Sequence, residues 1–148
     1  MDEPIYPLKE LSDNITFQFK STGPNGVFLK EVVFAIIDDL PNFYQLILFD
    51  VDSNDDRSVL SESKNQDMNK IMATVIRCIT TFLENTPTSK VIFSGSTASR
   101  TRLYRIIIAK LFDNINANFL IEGFSETNGF EPFNMNHEYN FFVISIKS

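Results

Sequence analysis

A chain of 148 residues with 43% apolar side chains has the length of one ordinary domain and can bury a core without disulfides or metals. Its lone cysteine, Cys78, excludes an intramolecular disulfide framework and a cysteine-based zinc site, and its lone histidine, His137, excludes a histidine metal cluster. A net charge of −6 argues against sequence-independent affinity for nucleic acid, because the summed field repels phosphates.

The N-terminal stretch MDEPIYPLKEL carries acids, two prolines and no apolar run of signal-peptide length, and no later stretch approaches the roughly 18 apolar residues of a membrane span. A single domain over residues 1–148, cytoplasmic and without membrane contact, is expected. Ile15, Phe17 and Phe19 alternate with polar residues, the period of a half-buried strand. Gly23-Pro24-Asn25-Gly26 is turn chemistry, and VFLKEVVFAII resumes extended character, which predicts a β-hairpin. After a reversal at Asp38–Asn42, FYQLILFDV reads as a third strand with apolar residues on both faces, followed by a polar loop from about Asp52 to Asn65.

From Met68 the apolar residues keep a three-and-four spacing through Leu83, which predicts a helix. Ser63 with Gln66 fits a capping box at its start, and Asn85-Thr86-Pro87 ends it. Val91–Ser94 reads as a short strand and Ala98–Phe112 as a second helix. Asn118–Phe124 and His137–Lys147 read as two more strands, separated by the loop SETNGFEPFNMN. The order β-β-β-α-β-α-β-β predicts an α+β fold, a mostly antiparallel sheet with two helices packed on it. The fifteen phenylalanines fall inside these periodic segments and are expected in the core.

Charge is unevenly spread. Between Glu84 and Asp113 there is no acid, while Lys90, Arg100, Arg102, Arg105 and Lys110 form a positive island. Within it, Gly95-Ser96-Thr97 joins a strand to a helix. Glycine permits a tight turn, Ser96 or Thr97 can cap the helix, and the helix start presents unpaired N–H groups and the positive end of the macrodipole to an oxyanion. At about 100° per residue, Arg100 falls among Leu103, Tyr104, Ile107 and Ile108, whereas Arg102 and Arg105 fall on the other side as a solvated basic face. Arg100 then needs a partner, either an acid such as Glu31, Glu122 or Glu131 or a bound anion. The junction matches neither a Walker A loop nor a dinucleotide fingerprint.

The segments FKSTGPNGVFLKEVVF, KIMATVIRCITTF and FSGSTASRTRLYR together resemble a family of small uncharacterised bacterial proteins of Bacteroidota type, with GSTxxRTRLYR as the most specific part. The resemblance implies a prokaryotic, cytoplasmic, one-domain protein and brings no activity, catalytic residue or cofactor. Gly95, Ser96, Thr97, Arg100, Arg102 and Tyr104 are the positions that match its motif and form the candidate ligand-binding set.

Asp50–Asp56 begins like a calcium loop, but Asp55 stands where glycine is needed and Ser61 where the closing glutamate is needed, so a solvated acidic loop is expected. No metal site or cofactor is implied. The reading is an anion-binding module for a phosphate-bearing small molecule, a nucleotide or a nucleic-acid end. Two alternatives stand beside it: a protein-interaction component of a toxin–antitoxin or phage-defence pair, and a nuclease-like enzyme using Arg100 with Glu131, His137 or Tyr104.

Overall fold

The computed structural model describes residues 4–59, 65–95, 97–115 and 118–147, with Val59 and residues 110–115 described by backbone only. The chain runs β1 (Lys9–Glu10), β2 (Thr16–Gly23), β3 (Gly26–Ile36), β4 (Phe43–Val51), β5 (Arg57–Val59), α1 (Met68–Asn85), β6 (Lys90–Phe93), α2 (Ala98–Ile115), β7 (Phe119–Ser125), β8 (Gly129–Pro132) and β9 (Phe141–Ile146). The strands form one sheet in the order β1-β2-β3-β4-β6-β9-β7-β8, with β5 paired to β4. All pairings are antiparallel except β4 with β6, whose connection carries α1 as parallel neighbours require. The α+β fold expected from the sequence is the fold observed.

Both helices cover the same side of the sheet. Phe34 of β3 stacks on Phe82 of α1 at 4.2 Å between ring centroids, and Phe93 of β6 stacks on Tyr104 of α2 at 4.9 Å. The alternation that points Phe17, Phe19, Val32, Phe34, Leu46 and Leu48 to this side continues through Val91, Phe93, Ile121, Phe142 and Ile144, so one core runs across the sheet. No helix among the described residues is long and apolar enough to cross a membrane.

The structure adds three short strands to the expected order. β1 and β8 pair at the two sheet edges and β5 pairs with β4, each too short for alternation to be read; β8 lies inside the expected loop SETNGFEPFNMN. The last strand begins at Phe141 rather than His137, because Asn134 organises turns through Asn136 and His137. Helix α1 has Asp67 as its N-cap and Gln66 lies before it at φ 53°, so Gln66 does not serve a capping box; Ser63 lies outside the described residues. The Asp67 carboxylate instead accepts hydrogen bonds from Tyr6 and from Ser21 at 2.7 Å, and Asn65 donates to Ser21 and to the Gly26 carbonyl, both at 3.1 Å. This buried polar cluster ties the start of α1 to the first hairpin.

Candidate functional site

The β6-to-α2 junction is built by close packing and by threonine chemistry. A Cβ at Gly95 would lie 2.5 Å from Arg100 Cβ and 2.6 Å from the Thr101 nitrogen, so only glycine lets the strand end pass beneath the first helical turn. Thr97 caps the helix: its Oγ1 accepts from the Arg100 N–H at 3.2 Å and its carbonyl from the Thr101 N–H at 3.0 Å. Thr101 Oγ1 donates to the Thr97 carbonyl at 3.1 Å and accepts from the Gly95 N–H at 3.0 Å, closing the junction on itself. The N–H groups of Ala98 and Ser99 belong to the first turn, where no intrahelical acceptor exists. Removing the cap with Thr97→Ala is expected to lower stability by about 1 kcal/mol, read as a lower urea midpoint at unchanged slope.

Beside this helix start lies a cleft of about 460 Å³, lined on one side by Gly95, Thr97 and the α2 stripe Ala98, Thr101, Arg102 and Arg105, and on the other by Glu138, Tyr139 and Asn140. The far wall is the segment between β8 and β9, folded back over α2. Arg105 Nη1 donates to the Met135 carbonyl at 2.8 Å, while its Nε is buried with no hydrogen-bond partner among the described residues. Arg102, 62% exposed, forms an ion pair with Glu138 at 3.3 Å. The Tyr139 ring lies flat against Gly123 of β7, where a Cβ would come within 2.5 Å of Tyr139 Cε1. Burial pushes the Tyr139 phenol up, and its oxygen accepts from the Asn134 N–H at 3.0 Å. Behind it, His137 Nδ1 meets Glu131 Oε2 at 2.9 Å.

The candidate residues separate in space. Gly95, Thr97 and Arg102 line the cleft, and Ser96 lies outside the described residues. Tyr104 is 4% exposed and belongs to the core, its phenol pushed up by burial and partly offset by the charge of Arg100. Arg100 is half-buried on the Tyr104 side of the helix and has no carboxylate partner among the described residues. Two of the acids considered for it are engaged elsewhere, Glu31 with Arg57 and Glu131 with His137.

Arg105 corrects the expected solvated face: it is half-buried and bonded across the cleft, because the segment before β9 covers that stripe. Thr101, Tyr139 and Asn140 were not singled out from the sequence; the stripe Ala98, Thr101, Arg102, Arg105 at helical spacing was the available signal. The acidic loop is a tight turn, with Asp52 Oδ1 accepting from the Asn54 and Asp56 N–H groups at 2.9 Å each, and no cluster of metal-ligating side chains is present among the described residues.

Residues 2–147 match the model of DUF6934, a family of unknown function, and the chain belongs to that family. No curated protein and no solved structure matches it.

Proposed function

We propose that this DUF6934 protein is a bacterial, cytoplasmic, single-domain binding protein whose α2 cleft takes a phosphate-bearing anion, such as a nucleotide or a nucleic-acid end. The observation that carries the reading is the placement of two guanidinium groups, Arg102 and Arg105, on one stripe of a cleft that opens at a helix N-terminus. Guanidinium forks and first-turn N–H groups complement phosphate oxygens in charge and in geometry. The cleft also sits beyond the carboxyl end of β6, which runs parallel to β4 and antiparallel to β9. Arg100, on the other side of α2, is not among the residues that line the cleft, so Arg102 and Arg105 replace it as the principal contacts.

A guest competes with Glu138, which forms an ion pair with Arg102. Thermal melting with nucleotides and inorganic polyphosphate tests the reading. A ligand at about 100 times its dissociation constant stabilises the wild type by about 2.7 kcal/mol, and Arg105→Ala and Arg102→Ala are expected to lose most of that gain while Arg100→Ala keeps it. A wild type whose melting temperature is unmoved by every such anion sinks it.

A second reading, a nuclease-like enzyme, is favoured by the Glu131–His137 pair behind Tyr139. A carboxylate that orients an imidazole is the arrangement a general base needs. Turnover of RNA, DNA or nucleotides that disappears in His137→Ala separates it from binding alone.

A further inference from the structure

The side of the sheet turned away from both helices is apolar. Strand β4 directs Leu46 and Leu48 to the helices and Phe43, Ile47 and Phe49 to the opposite side, the two-sided pattern of a strand covered on both faces. The opposite side continues through Ile92 of β6 and Val143 of β9 to the rings of Phe124, Phe130 and Phe141. Phe124 and Phe141 stack at 5.0 Å, and Phe130 packs on both yet remains 58% exposed. Six neighbouring strands about 4.8 Å apart, paired over about six residues at about 3.3 Å each, give this surface on the order of 500 Å² in projection. That approaches the roughly 600–800 Å² each partner contributes to a small specific interface.

Four charges interrupt the surface: Glu31 and Arg57 are paired with each other, and the placement of the other two, Lys90 and Glu122, identifies the partner. Lys90 pairs with Ser145, which pairs with Leu120; two residues along, Ile92 pairs with Val143, which pairs with Glu122. Lys90 and Glu122 therefore flank β9 two strands and two residues apart, about 12 Å. Neither forms an ion pair among the described residues. A twofold axis lying in the plane of this surface and crossing midway between them brings Lys90 of one copy onto Glu122 of the other, and the reverse. The pattern complements itself, as an isologous interface requires.

We propose that the protein dimerises through this side of the sheet, two copies packing sheet on sheet with Lys90 of each opposite Glu122 of the other. The strands of the two copies then cross at about 70°, nearer the orthogonal than the aligned class of sheet-on-sheet packing.

Sedimentation equilibrium of the full chain over about 1–500 µM is expected to show a monomer–dimer equilibrium. Lys90→Glu and Glu122→Lys each bring like charges together and are expected to raise the dissociation constant at least about tenfold. The double reversal is expected to return it to within about threefold of the wild type. Thermal melts of the dilute monomers confirm that each variant is folded. A wild type monomeric throughout, as it would be if a different protein occupied this surface, overturns the proposal; so do single reversals that dimerise like the wild type, or a double reversal as weak as the singles.

Discussion

Gly95→Ala is expected to destabilise the protein by about 3 kcal/mol or more and to abolish anion binding in the α2 cleft together with that stability. The added methyl would lie 2.5 Å from Arg100 Cβ, 2.6 Å from the Thr101 nitrogen and 2.7 Å from the Arg100 carbonyl carbon. Two of those atoms are helix backbone, so no rotamer change relieves the contact, and the first turn of α2 must move. Moving it breaks the bonds through which Thr97 and Thr101 hold the junction. Gly129→Ala is the control. Its Cβ would meet nothing within 4 Å, and the penalty there is only the positive φ of 65°, about 1 kcal/mol. Urea unfolding of the two variants measures the contrast, and equal losses would refute the packing argument at Gly95.

Glu31→Gln is expected to lower stability by about 2 kcal/mol at neutral pH. The Glu31 carboxylate, 5% exposed, accepts from Arg57 Nε at 2.7 Å and Nη2 at 3.0 Å, and from Gln18 Nε2 at 2.9 Å. The loss stays below the 3–5 kcal/mol of a fully buried pair because the Arg57 side chain is 35% exposed and retains water and Asp55.

The pH dependence follows from direction alone. The Arg57 guanidinium holds the Glu31 carboxyl below the usual carboxylate range against the opposing effect of burial. The contribution is therefore fully present above the unfolded value of about 4.3 and is lost as pH falls through the folded one. Denaturation of wild type and variant at neutral pH and at about pH 3 is expected to show the difference shrinking in acid; a constant difference would refute this.

Where local chemistry decides structure, the sequence was sufficient. The alternation around Phe17 and Phe19, the Gly23–Gly26 turn and the spacing from Met68 to Leu83 each resolve into the expected element. The Gly-Ser-Thr junction was readable for the same reason, since a strand end, a close-approach glycine and a capping threonine lie within a few residues. The opposite wall of the cleft was not. Arg105 is drawn in by the Met135 carbonyl, and Tyr139 is seated by the absent side chain of Gly123, contacts that join residues distant along the chain. Periodicity on α2 ranked its faces by polarity. It could not reveal that the segment before β9 folds across the polar one.

The seat of Tyr139 has a consequence for how the molecule's two surfaces communicate. Gly123 and Glu131, which support the cleft wall, alternate along β7 and β8 with Phe124 and Phe130, which face the other way. A ribbon one residue thick thus lies between the cleft wall on one side and the apolar face on the other. Were the proposed guest and the proposed second copy each to change the twist of that ribbon, each would alter the affinity of the other by the same factor, and a two-stranded edge would link occupancy to assembly mechanically.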